Sequence, residues 1–288
     1  MRNHFDNLAK ELLAALLSEG GTAQIEREIS VDAHRIDVWF MPGHPPGTVP
    51  SVLAPLAREN AVIEPFHDPP DVEDVQRCVL KQHAMFAALR RGKAPKDQLP
   101  ALWILSAGVP RNVIRAFGFE PMKGALRGFL TSPQAVHRLH LVVISDLDRT
   151  RETLPLRLLG AGRTLQDALE DWQALPETAL ERVVLKPVLV RSGVETVMQP
   201  GRRKRDEEAL MRAAEWAYND TLREAREEGE ARELKRQFER RLRRPLSVLE
   251  NTALDRRLSA LGPARLGDVA FDVSAAELAR WLTDPEAR

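Results

Sequence analysis

Apolar positions along the chain follow two periods, and the change between them divides it. Phe5, Leu8, Leu12, Ala15 and Leu16 recur at helical spacing, and Gly20-Gly21 ends that helix. Residues 23–30 (AQIEREIS) and 35–40 (RIDVWF) instead alternate polar with apolar, which predicts two strands joined by a short turn around Asp32. A Pro/Gly loop at 42–50 and a short helix at 52–58 lead to a third strand at 61–66 (AVIEPF), closed by Pro69-Pro70. An amphipathic helix then runs from about residue 71 to 91, its stripe formed by Val72, Val75, Cys78, Val79, Met85, Phe86 and Leu89. The uninterrupted apolar run 101–107 (ALWILSA) marks a central strand covered on both faces. A helix at 110–117 and strands near 126–131 and 139–144 complete an α/β layer arrangement.

Past residue 150 the strand signals largely stop. Residues 153–160 and 165–175 read as short helices, and 179–190 carries a β-branched run compatible with helix or strand. The basic run 202–205 (RRKR) stands in a Pro/Gly-flanked linker. A long, highly charged helix follows from about 206 to 243, interrupted only by Gly229, and shorter helices at 247–261 and 274–282 close the chain. The pattern predicts an α/β core over 1–150, a helical extension and linker over 151–201, and a helical C-terminal domain over 202–288.

Composition changes this picture little. The 288 residues are 43% hydrophobic and 29% charged, ordinary for a soluble globular protein. Lys plus Arg and Asp plus Glu number 42 each, so no global positive field draws the chain to nucleic acid, and any such surface must be a local patch. Cys78 is the single cysteine, which excludes a disulfide framework. The first residues carry Asp6 and Glu11 without a signal-peptide core, and no run approaches the ~18 apolar residues of a membrane span. The expectation is a cytoplasmic protein with no membrane segment.

The chemistry is concentrated in two acids inside strands. Asp37 interrupts 34–41 (HRIDVWFM) and Glu64 interrupts 61–66, both of which otherwise read as buried. A buried carboxylate needs a partner, either an arginine such as Arg35 or a divalent metal ion. Strict alternation places Ile36, Val38 and Phe40 on one face and Arg35, Asp37 and Trp39 on the other. Glu64 shares its face with Val62 and Phe66, near the C-terminal end of its strand, where open α/β sheets present ligands.

A helix, a hairpin with Asp37 on its second strand, a third strand with Glu64, a helix and a fourth strand resemble the PD-(D/E)XK nuclease core. The opening Lys10-Glu11-Leu12-Leu13, the tail residues Glu228-Gly229-Glu230 and the stretch 234–241 (LKRQFERR) are similar to the bacterial recombination-promoting (Rpn) nucleases, a transposase-like group. The resemblance spans roughly 5–107 and 225–283. It implies a restriction-endonuclease-like core, a mixed sheet flanked by helices, with an α-helical C-terminal appendage. It also implies hydrolysis of DNA phosphodiester bonds with Mg²⁺ or Mn²⁺ held by Asp37 and Glu64.

The family's lysine, or glutamine, stands two residues after the strand Glu, where this chain has Phe66. A catalytic lysine would then come from the following helix: Lys81, or the polar Gln82 at the centre of the stripe. Lys81 would orient the attacking water or stabilise the phosphate, and Glu11 would add an outer ligand through water. The alternative is a nuclease fold that no longer cuts and serves as a DNA-binding or protein-interaction module. His34, His67, His83, His137 and His140 lack zinc-site spacing, and Gly160–Gly162 lacks the Lys-Ser/Thr of a phosphate loop. The basic runs 202–205 and 240–244 are candidate phosphate contacts, and their interspersed acids suit a homo-oligomerising helix better.

Overall fold

The computed structural model describes residues 4–29, 34–43, 49–91, 99–134, 137–197 and 205–284. The predicted turn around Asp32 and most of the basic run 202–205 lie outside the described residues. The chain folds into two compact units, Met1–Ala217 and Tyr218–Arg288.

The first unit is built on a mixed sheet that has seven strands among the described residues. In chain order they are β1 (Gly21–Ile29), β2 (His34–Pro42), β3 (Ala61–Phe66), β4 (Ala101–Ser106), β5 (Glu120–Pro121), β6 (Phe129–Thr131) and β7 (Leu139–Val143). Across the sheet the order is β1-β2-β3-β4-β7-β6-β5. β3, β4 and β7 are parallel to one another, and the flanking pairs are antiparallel. The parallel pairs need crossovers, which α2 (Val72–Arg91) and α3 (Arg111–Phe117) supply, as their apolar stripes and Pro/Gly boundaries predict.

β4 is buried at every residue, as its unbroken apolar run requires. Its alternate side chains feed two cores, one on each face of the sheet. Ala101, Trp103 and Leu105 pack with Leu8, Leu12, Leu13, Leu16 and Leu17 of α1 (His4–Leu17). Leu102 and Ile104 pack on the other face with Val75, Cys78 and Met85 of α2 and Val113 of α3. The join between α1 and the sheet is tight: a Cβ at Gly21 would meet the Met41 carbonyl oxygen at 2.2 Å, so only glycine fits there.

The helices after residue 150 complete the first of these cores. They are α4 (Leu154–Arg157), α5 (Arg163–Gln173), α6 (Leu180–Val197) and the start of α7 (Arg205–Leu242). Leu165, Trp172, Leu185, Leu189, Ala213 and Ala217 share one cluster with α1 and the sheet, and Trp172 meets Trp216 edge-on at 5.3 Å. The undecided segment 179–190 is helix, with Pro187 inside it. The unit therefore extends well past residue 150, because these short helices bury their apolar faces on the same sheet face as α1.

The second unit has its own core. Leu234 and Phe238 of α7 pack with Leu254, Leu266 and Val269 of α8 (Val248–Asp272) and Leu278 and Leu282 of α9 (Ala275–Thr283). Ser247 and Ser274 start α8 and α9 as complete capping boxes with Glu250 and Glu277. α8 is kinked at Gly262, whose φ is 79°, just ahead of Pro263, so the predicted end near 261 becomes a bend and the helix resumes. Among the described residues, no helix is long and apolar enough to cross a membrane.

Candidate active site

The two acids meet where the β2 ladders open. Pairing of β1 with β2 steps from Ile25↔Val38 to Arg27↔Ile36, passing over Glu26 and Asp37. Glu26 has a φ of 51°, a left-handed conformation uncommon for a non-glycine residue. Pairing of β2 with β3 covers Phe40↔Ala61 to Val38↔Ile63 and ends there. At the next position the Asp37 N–H donates to Glu64 Oε1 at 3.2 Å, a side chain in the role of a backbone acceptor.

This irregularity corrects the strict alternation expected for β2. Ile36 packs in the core that holds Trp39 and Val62, whereas Val38 and Phe40 belong to the opposite one. The face changes at Asp37 because the strand is not regularly paired there on either side.

Two helices bring lysines to the acids. Lys81 of α2 places its Nζ 2.6 Å from Glu64 Oε2. Lys10 of α1 places its Nζ 2.8 Å from Asp37 Oδ1 and 3.6 Å from Glu26 Oε1. Arg35 in turn reaches Glu26 at 3.2 Å. The set therefore matches three carboxylates with three cations.

Burial and like charge set the electrostatics. Glu64 is 1% exposed, and burial, then the neighbouring Asp37 charge, push its carboxyl up to about 7 despite the pull of Lys81. For Lys81 burial acts the other way, but the Glu64 charge and hydrogen bond outweigh it and raise the ammonium. Cys78 lies 3.9 Å from Glu64 Oε2, and burial, then the Glu64 charge, raise its thiol and keep it protonated. For Glu64 the pull of Lys81 offsets only part of the cost of burying the charge.

Of the residues singled out in the sequence, Asp37, Glu64 and Lys81 come together. Glu11 does not join them: it bonds Arg191 of α6 at 2.7 Å. Gln82 is fully buried and donates to the carbonyls of Pro100 at 2.7 Å and His137 at 2.9 Å, bracing α2 away from the acids. Phe66 packs against the α2-side core. His67 reaches Asp206 at 3.4 Å, and the same carboxylate accepts from the Gly162 N–H at 2.9 Å, which accounts for the Gly160–Gly162 turn structurally. His140 stacks on Trp103 at 4.4 Å, with burial, then Arg138, lowering its imidazole to about 4.

Lys10 is the residue that sequence reasoning missed. A signal was present: it stands seven and three positions before Leu17 and Leu13, on the buried stripe rather than the solvent face of its helix. Comparison with known proteins adds no relative. No family model matches the chain, and no curated protein or solved structure matches it.

Proposed function

We propose that this chain is a metal-dependent DNA endonuclease of the PD-(D/E)XK type, resembling the Rpn group. The observation that carries the reading is the convergence of Asp37 and Glu64 where the ladders part, with Lys81 on Glu64. The donor set fits a hard divalent ion: carboxylate oxygens from two strands, one of them raised to about 7 by burial and by the neighbouring Asp37 charge.

Asp37 and Glu64 would hold Mg²⁺ or Mn²⁺, which when bound supplies an activated water and neutralises charge on the scissile phosphate. The protein's part is positioning. The Asp37 N–H fixes the Glu64 carboxylate beside Asp37 before any ligand arrives. Lys81 takes the role that Phe66 cannot. From α2 its ammonium reaches the same carboxylate, ready to orient water or to hold a phosphate oxygen. Glu11, turned toward Arg191, is left out of this scheme.

Nicking of supercoiled plasmid in Mg²⁺ or Mn²⁺ tests the reading. Even outer partners of a metal site are worth 10–100-fold, so Asp37→Asn and Glu64→Gln should each lower the rate by more than about a hundredfold. Folded variants that nick as fast as the wild type would sink it.

A second reading, a nuclease fold that binds without cutting, has one observation in its favour. Each acid already carries an ammonium partner, so the cluster is charge-balanced as it stands. Calorimetric titration with Mn²⁺ separates the two, since the second reading expects no saturable binding that depends on Asp37.

A further inference from the structure

Resting on the reading of Asp37 and Glu64 as metal ligands, we propose that Lys10 is a resident counter-cation of the site. It holds Asp37 while metal is absent, and a divalent ion must displace it. The Lys10 Nζ stands 2.8 Å from Asp37 Oδ1, so its ammonium would compete with a metal ion for the same carboxylate. Two cations at one carboxylate repel, and water screens them only in part: the Lys10 side chain is 10% exposed and that of Asp37 22%.

The structure also gives the displaced charge somewhere to go. Glu26 Oε1 is 3.6 Å from the same ammonium, across the unpaired step in the β1–β2 ladder. A lysine stem is long and rotatable, so a small swing moves the charge from Asp37 to Glu26, which is similarly half-buried. Metal uptake then moves the Lys10 ammonium from Asp37 toward Glu26 and lets the ion take its place at Asp37. This distinguishes Lys10 from a simple brace. A brace keeps Asp37 oriented, so its loss weakens metal binding. A counter-cation competes, so its loss strengthens binding.

The test is Mn²⁺ titration of the full chain by calorimetry, with folding followed by circular dichroism. Lys10→Met should bind Mn²⁺ about tenfold or more tightly than the wild type, since one buried repulsion is removed. Its metal-free form should melt lower, with Mn²⁺ closing the gap, while Lys10→Arg, which keeps the charge, should bind as the wild type does. If Lys10→Met does not fold, Lys10→Gln serves in its place. Binding that Asp37→Asn abolishes but Lys10→Met leaves unchanged or weaker would overturn the counter-cation role alone. No Mn²⁺ binding by wild type or variants would overturn both it and the metal-site reading.

Discussion

Glu64 shows how one side chain sets the behaviour of its surroundings. Its carboxyl ordinarily titrates near 4.5 and is raised to about 7 in the folded chain. Between those values the folded chain holds a proton that the unfolded chain has released. Metal-free stability therefore falls as pH rises from about 4.5 to about 7, by at most about 3 kcal/mol, and levels off above. Thermal unfolding across that range should show this decline in the wild type and a flatter profile in Glu64→Gln. Parallel profiles would assign the decline to other groups. Lys81 belongs to the same scale. On the proposed reading, Lys81→Met should lower the nicking rate by about a hundredfold or more while Mn²⁺ still binds, because Lys81 would act on the phosphate and not as a ligand.

At the scale of elements, the hydrophobic pattern identifies most helices and strands but not their irregularities. The β2 step at Asp37 depends on partners in β1 and β3, so alternation within β2 alone places Ile36 on the wrong face. Helix ends are more local. In the second unit Ser247 accepts from the Glu250 N–H, and Glu250 accepts from the Ser247 N–H at 2.8 Å and from Arg244 at 2.6 Å. Arg244 first, then the Ser247 contacts, hold the Glu250 carboxyl at about 2. Ser247→Ala should destabilise the second unit by about 1 kcal/mol, read as a shifted unfolding midpoint, and leave Mn²⁺ binding unchanged.

At the scale of the whole molecule, two separate cores assign two sets of consequences. Trp172 is fully buried in the core that also carries α1, and with it Lys10. Trp172→Ala should lower stability by about 3–5 kcal/mol and weaken Mn²⁺ binding at temperatures where the first unit begins to open. Phe238 is fully buried in the core of the second unit. Phe238→Ala should destabilise that unit by a similar ~3–5 kcal/mol without altering Mn²⁺ affinity, since the acids and both lysines all lie in the first unit. Chemical denaturation monitored with and without Mn²⁺ would check both.

What depends on neighbours a few residues away is legible in the chain alone. The sequence carried the period of most helices and strands, the central position of 101–107, the starts of the C-terminal helices near 247 and 274, and the oddity of two acids in apolar strands. It also marked Lys81 as a lysine able to reach them. What it left open depends on residues far apart in the chain. The partnership of Lys10 with Asp37 joins α1 to β2. The direction of Glu11 is decided by Arg191, 180 positions away. The inclusion of residues 154–217 in the first unit follows from the sheet face that they share with α1. Local periodicity says which side of an element is apolar; only packing decides which other element meets it, and that meeting creates the acid pair, its lysines and its raised proton affinity.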